Sequence, residues 1–168
     1  MIDTDSTEVR GGTRAVHLEI ARRTALGMGI AVVVQYALGI WVNLYVTVPA
    51  RDQGGGFFAA IGRALANGPV ALGIHAGLGL VLVLGSITLV VRSVLSRNRA
   101  LIVLSSLFLL AVLGAASSGA SFVDSGSDSA SASMAMLTGV ALICSLLTLF
   151  VLGSARGAAQ REGQGHSS

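Results

Sequence analysis

The chain has 168 residues, of which 53% are hydrophobic and only 11% are charged. Soluble domains carry about 25% charged residues, so this composition excludes an ordinary water-soluble globular domain. All eleven basic residues are arginines, and the formal net charge is +3. None of the arginines lies inside an apolar run, so we assign the positive charge to membrane orientation and predict no nucleic-acid partner.

Four apolar runs dominate the chain. They cover residues 24–48, 70–91, 100–120 and 134–153, and none contains Asp, Glu, Lys or Arg. A helix of about 20 residues, at ~1.5 Å per residue, crosses a hydrocarbon core about 30 Å thick. The sequence therefore predicts an all-α integral membrane protein, a four-helix transmembrane bundle at residues 24–153. The polar tails, residues 1–23 and 154–168, bury little apolar surface and are predicted to be disordered.

Nine of the eleven arginines fall at one end of this predicted bundle. They are Arg10, Arg14, Arg22, Arg23, Arg92, Arg97, Arg99, Arg156 and Arg161. The opposite end holds Arg51 and Arg63. Because cytoplasmic segments carry the excess of Arg and Lys, both termini are predicted to be cytoplasmic, with the chain in the cell (inner or plasma) membrane.

The two predicted outer loops differ in composition. In the first loop, Phe57, Phe58, Ile61 and Leu65 share one helical face, which predicts a short helix lying in the membrane interface, with a loosely packed loop as the alternative. The second loop, residues 117–133, is rich in Ser, Gly and Asp and is predicted to form turns, with Ser131 or Ser133 capping the fourth span. Its acidic residues, Asp124 and Asp128, have too few neighbouring carboxylates for a calcium loop and are predicted to form a solvated turn.

Small residues recur four apart in every span, and such pairs let helix backbones approach closely. The pairs are Gly27 and Ala31, Gly73 and Gly77, Ala111 and Ala115, and Ala135 and Gly139. They predict a compact bundle. Only the second pair is a GxxxG motif, and the sequence leaves open whether it packs within the chain, against a second copy in a homo-oligomer, or against another membrane protein.

Polar residues inside the spans are predicted to form a cluster toward the outer face, with Gln35 deeper in the first span on the helical face of Asn43. They are Gln35, Asn43, His75, Ser117, Ser118 and Thr138. Counting residues from the span ends places Asn43 and His75 at one level, so we expect them to meet in a pocket that opens outward. An intramembrane His is a candidate functional residue. A structural alternative also accounts for the cluster, because hydrogen bonds of ~0.6–2 kcal/mol between such side chains hold helices together.

The residue pattern predicts no enzyme, no catalytic residue and no metal site, because the membrane interior has no carboxylate pair and no Ser/His/acid set. The leading hypothesis is a non-enzymatic accessory or subunit protein whose polar pocket binds a partner helix, a lipid or a small ligand. The first alternative is a protein that binds haem b, with His75 as one ligand and Met134 or Met136 as the other. The second alternative is a component of small-molecule transport.

Two resemblances accompany this pattern. Gln35-Tyr-Ala-Leu-Gly39, a Pro-bearing loop and His75 early in the next helix resemble one four-helix half of haem A synthase, which implies haem binding at His75. In that family an Arg follows the His, whereas Ala76 stands here. The segments Trp41-Val-Asn-Leu-Tyr45, His75-Ala-Gly-Leu-Gly79 and Gly119-Ala-Ser-Phe122 resemble small four-span membrane proteins of high-GC bacteria of the actinobacterial type. That second resemblance implies the four-span form and no particular activity.

Overall fold

The structure is a computed structural model that describes residues 4–46 and 55–165, with side chains described for residues 19–46 and 55–154. The described residues form five helices and no strand, which confirms the all-α fold. The helices are α1 Thr4–Tyr45, α2 Gly56–Ala66, α3 Val70–Leu95, α4 Arg99–Ser125 and α5 Asp128–Gly165. Residues 47–54 of the first predicted loop, which include Arg51 and Gly54, lie outside the described residues. The side chains of residues 1–18 and 155–168 also lie outside them.

Four segments are long and apolar enough to cross a membrane, which is the architecture of a multi-pass membrane protein. They are Glu19–Tyr45, Val70–Leu95, Arg99–Ser125 and Asp128–Ser154. The helices also extend beyond the predicted spans. The first begins at Thr4 and the last continues to Gly165, within the segments for which composition predicts disorder. Neither extension contains a proline, so no residue there interrupts the helical hydrogen bonding that starts in the spans.

The prediction of a long loop over residues 117–133 is wrong, because only Gly126 and Ser127 separate α4 from α5. Serine does not break these helices because its hydroxyl bonds to a carbonyl in the preceding turn, as Ser117 does with Leu113 at 2.9 Å. Helix α4 ends where Gly126 adopts the left-handed conformation with φ of 66°. Neither Ser131 nor Ser133 caps the fourth span, because α5 already begins at Asp128.

The four long helices form a closed ring in which sequence neighbours are also spatial neighbours. Helix α1 packs on α3 and α5, and α4 packs on the same two helices. Residues 96–98 link α3 to α4, and residues 126 and 127 link α4 to α5, and such short links make these neighbours antiparallel, as in an up-and-down bundle. The short helix α2 packs on α3 and α4 and so covers one end of the ring. We call this end the α2 end.

Helix α2 confirms the predicted helix in the first loop, and its packing explains the GxxxG motif. Its buried residues are Ala60 and Ala64, whereas Phe58 is 85% exposed. A Cβ atom added at Gly73 would lie 3.4 Å from the Ala64 carbonyl oxygen, and one at Gly77 would lie 3.9 Å from Leu65 Cδ2. The motif is therefore used within the chain, where two glycines let α2 rest against α3. That α2 lies in the membrane interface stays a prediction.

Two clusters of buried apolar residues occupy the bundle. The larger cluster centres on Phe108, Leu101 and Val32, and the smaller one, at the α2 end, includes Val42, Leu72 and Ala120. Buried hydroxyls are also bonded within helices, as Ser86 is to the Val83 carbonyl and Thr148 to the Cys144 carbonyl. These bonds satisfy polar groups that have no water partner in a membrane interior.

Candidate functional site

A cavity of about 450 Å³ lies between the two apolar clusters and is lined by residues of all five helices. This volume falls within the range of about 300–1,000 Å³ that is common for small-molecule sites. Most of the lining is apolar and includes Phe57, Ile61, Leu80 and Val112. None of the described lining residues is Asp, Glu, Lys, Arg or Cys. The described wall of the cavity is therefore apolar, with a few uncharged polar groups.

Gln35 of α1 and His75 of α3 form the most buried polar contact in the cavity lining. The Gln35 side-chain nitrogen Nε2 donates to the His75 backbone carbonyl oxygen at 3.0 Å. The same nitrogen lies 3.3 Å from His75 Nε2. Two helices are thus joined by one amide group, at the level where α1 and α3 pack side by side.

The role of the His75 ring in this contact depends on its tautomer. The Gln35 amide nitrogen donates to the His75 carbonyl, and with the ring hydrogen on Nδ1 the His75 Nε2 atom accepts from the same nitrogen. The pair then has two remaining polar atoms, Gln35 Oε1 as an acceptor and His75 Nδ1–H as a donor.

Both of these atoms are buried, and neither has a hydrogen-bond partner within the described residues. A buried polar group without a partner lowers the stability of the fold by about 1–3 kcal/mol. The side chains to which they belong line the cavity. Other atoms of these side chains form the wall, because a water-sized group does not reach Gln35 Oε1 or His75 Nδ1.

Two glycines make room for this pair. A Cβ atom added at Gly39 would lie 3.1 Å from His75 Cε1, and one added at Gly79 would lie 3.3 Å from Gln35 Nε2. Each glycine lies on the helix opposite the side chain that it accommodates, Gly39 on α1 and Gly79 on α3. The absence of a side chain at both positions lets the imidazole and the amide lie between the two backbones.

The structure places five of the six predicted polar residues on the cavity wall, and Ser118 is not among the lining residues. Asn43 does not pair with His75 as expected. Its side-chain oxygen instead accepts from the Ser131 hydroxyl at 3.0 Å. Ser117 and Thr138 line the cavity, but their hydroxyls bond to carbonyls of their own helices. Sequence reasoning missed Ser131 because it assigned that residue to a loop, whereas α5 carries it to the level of Asn43.

The predicted solvated acidic turn is also different in the structure. Asp124 is in the last turn of α4, and its Oδ1 atom lies 3.8 Å from Arg63 Nη2 of α2. The same oxygen accepts from the Gly56 backbone N–H at 3.3 Å. One carboxylate thus contacts the first residue of α2 and an arginine in its last turn. A negative charge is favoured at the N-terminal end of a helix. The carboxylate holds in place the helix that forms one wall of the cavity.

Haem ligation fits these residues poorly. The chain has three histidines, and His75 is the one within the four spans, which excludes two axial imidazoles from the membrane. Met134 lines the cavity with His75, whereas Met136 is 75% exposed. Coordination through His75 Nε2 would break its bond to Gln35 and leave another buried amide hydrogen without a partner. The described residues also contain no group of three or more His, Cys, Asp or Glu side chains that could hold a metal ion.

Comparisons with protein-family models, curated proteins and solved structures find no match to this chain. The class of protein is therefore defined by the fold and the cavity alone. It is a helical membrane bundle of four spans with a short helix over one end and an apolar cavity beneath it. The resemblances to haem A synthase and to small actinobacterial-type proteins stay predictions.

Proposed function

We propose that this protein is a non-enzymatic accessory or subunit protein of the bacterial cell membrane, and that its cavity binds a small apolar or amphiphilic ligand. The observation that carries the proposal is the 450 Å³ cavity, whose lining is apolar apart from a few uncharged polar groups. Such chambers, with a small number of placed polar atoms, are typical of ligand sites.

The chemistry of the lining supports binding rather than catalysis. Acid–base catalysis needs a group that changes protonation near neutral pH and a second group that complements it. Among the described lining residues, His75 is the one whose ordinary pKa lies near neutrality, and none of the others is a carboxylate, lysine or cysteine. The cavity therefore holds a ligand without a pair of groups that could transfer protons to and from it.

The orientation proposed here puts both termini in the cytoplasm and the α2 end at the outer face, as the nine-to-two distribution of arginines favours. A reporter protein that fluoresces only in the cytoplasm should be bright when fused after Ser168. The same reporter fused after Asn67, which follows one span, should be dark because it would be exported. The opposite pattern would overturn the proposed orientation.

Ligand binding is tested with dodecane, an uncharged apolar probe, added to the protein in lipid nanodiscs with ¹³C-labelled methionine methyl groups. We expect the Met134 methyl resonance to shift saturably, because this residue lines the cavity. Met136 is the internal control, since it is two residues away and 75% exposed. Identical, non-saturating shifts of both methyl groups would mean simple partitioning into the bilayer and would contradict the proposal.

The haem alternative is tested separately, by absorption spectroscopy. An absorption spectrum of the protein, expressed with ample haem and purified in detergent, should show no Soret band. A Soret band that shifts on reduction would replace the proposed function with haem handling or electron transfer, and His75 would then be the first residue to mutate.

A further inference from the structure

The cavity covers the same level in all four long helices. Its lining residues on these helices fall within 32–43 of α1, 72–83 of α3, 112–123 of α4 and 131–141 of α5. Contacts between helices align the ranges, because Gly39 of α1 lies against His75 of α3. The Asn43 side chain of α1 is likewise bonded to Ser131 of α5. The cavity is therefore elongated along the axis of the bundle.

The inner end of the cavity lies at the middle of the spans. We call this end the floor, and it consists of Val32, Leu82, Val112 and Ala141. Val32 is 13 residues from each end of Glu19–Tyr45, and Val112 and Ala141 are also 13 residues from both ends of their spans. All four floor residues are buried. Because the middle of a span lies near the middle of the hydrocarbon core, the cavity ends close to the membrane midplane.

The length of the cavity corresponds to one leaflet of the membrane. Val32 at the floor and Asn43 at the α2 end are 11 residues apart on α1. At ~1.5 Å per residue this separation is about 16 Å. Half of the hydrocarbon core is about 15 Å thick. The hydrocarbon chain of a lipid covers the same distance, from the polar surface of its leaflet to the midplane.

The two ends of the cavity differ in polarity. Asn43, Ser117 and Ser131 line the α2 end, where Asn43 and Ser117 are exposed. The floor consists of apolar side chains, so a polar group placed there would lose its hydrogen bonds to water without replacement. Between the ends, the Thr138 hydroxyl and the Gln35 amide nitrogen already donate to backbone carbonyls. A ligand with one polar end is therefore accommodated with that end at the α2 end.

Building on the ligand-binding function proposed above, we propose that the cavity holds a single hydrocarbon chain of a lipid, parallel to the bundle axis. The methyl end of the chain lies at the floor, and the polar end stays at the α2 end. A compact ligand would occupy only part of so long a cavity, whereas a chain contacts the wall along its whole length. A free fatty acid and one acyl chain of a phospholipid both supply this chemistry.

Photo-cross-linking in nanodiscs tests where each end of the chain lies. Two palmitic acids are compared, one with a diazirine at the methyl end and one with a diazirine beside the carboxyl group. Mass spectrometry then maps the labelled residues. We expect the methyl-end probe to label Val32 at the floor, and the carboxyl-end probe to label Asn43 and not Val32.

Val33 is the control for labelling by the surrounding bilayer, because it lies at the depth of Val32 but is 51% exposed. An excess of about tenfold of unlabelled palmitic acid over the saturating probe should reduce the methyl-end label at Val32 about tenfold, as competition for one site requires. The label at Val33 should not change. A label at Val33 without a competable label at Val32 would overturn the inference, as would a floor labelled by the carboxyl-end probe.

The dodecane experiment separates failure of this inference from failure of the proposed function. If dodecane binds saturably at Met134 while Val32 stays unlabelled, the cavity binds apolar ligands but does not hold a chain along the axis. If dodecane also fails to bind, both proposals are overturned.

A phospholipid probe identifies the source of the chain. Phosphatidylglycerol carries the same methyl-end diazirine in one acyl chain and replaces palmitic acid in the experiment. A competable label at Val32 from this probe would assign the cavity to a chain of a membrane phospholipid. A label from the palmitic acid probe alone would assign it to a free fatty acid. Either result supports a chain with its methyl end at the floor.

A matched pair of variants tests the position of the floor. Ala141→Leu shortens the cavity, because the larger side chain occupies space where the methyl end lies. The preference for palmitic over lauric acid, measured by competition with the methyl-end probe, should fall at least about threefold, because the longer chain loses more methylene contacts. Val140→Leu is the control, since Val140 is 45% exposed and should keep the wild-type preference.

An unchanged preference in Ala141→Leu would overturn the placement of the methyl end at the floor. Should Ala141→Leu fail to fold, the competable label at Val32 in the wild-type protein decides the question.

Discussion

Replacing Phe108 with alanine should lower the free energy of unfolding by about 3–5 kcal/mol, the range found for aromatic-to-alanine changes in well-packed cores. Phe108 is 1% exposed and belongs to the larger apolar cluster with Leu101 and Leu82. Truncation removes its contacts with neighbouring helices and leaves a cavity that rigid helices fill only in part. Unfolding by sodium dodecyl sulfate in mixed micelles, followed by far-UV circular dichroism, measures the change.

Phe150→Ala is the matched control for that experiment. The Phe150 side chain is 72% exposed on the bundle surface, where lipid or detergent can replace the contacts that it loses. Its effect should stay within about 0.5 kcal/mol, as for substitutions away from packed features. If the two variants lose the same stability, the helices are rotated differently from this arrangement and Phe108 does not lie in the core.

The four spans could be predicted because a membrane interior imposes a strict rule on sequence. A charged side chain in the hydrocarbon core is costly, so long runs without Arg, Asp or Glu identify the spans directly. The boundary between α4 and α5 follows no such rule. Serine and glycine favour turns in water, but in α4 the Ser117 and Ser125 hydroxyls bond to carbonyls of their own helix and the helix continues.

The residues of the candidate site could be predicted, but their relative depth could not. Counting residues from the span ends placed His75 level with Asn43 and left Gln35 deeper in the first span, whereas in the structure His75 contacts Gln35. The partner of each side chain depends on how the helices slide and turn against one another, and that is decided by close contacts such as Gly39 against His75. These contacts join residues far apart in the chain, so the sequence does not show them.

The sequence also does not show which backbone packs against the GxxxG motif. Gly73 and Gly77 indicate that a backbone approaches α3 closely, but the spacing is the same whether that backbone belongs to this chain or to another. The answer depends on α2, whose Ala64 carbonyl covers the motif. A short helix between two spans was predictable from its apolar face, whereas its contact surface was not, because the buried residues are the small Ala60 and Ala64.

Gly39→Leu is the single change in the cavity lining for which we expect the largest loss of ligand affinity. A Cβ atom at this position would lie 3.1 Å from His75 Cε1, so the rest of a leucine side chain must either displace the imidazole or occupy the cavity. In both cases the volume open to a ligand is reduced. The affinity for dodecane, read from the Met134 methyl resonance, should fall at least about tenfold, as expected when a ligand loses the equivalent of one or two buried methylene contacts.

Gly27→Leu is the control for this variant, because Gly27 is on the same helix, is exposed, and has no heavy atom within 4 Å of where a Cβ would lie. Both substitutions replace glycine with a better helix former, so neither should weaken α1 itself. Gly27→Leu should therefore bind dodecane as the wild-type protein does. Unchanged binding by Gly39→Leu would mean that the probe occupies another surface of the bundle, and that the cavity beneath α2 is not the ligand site.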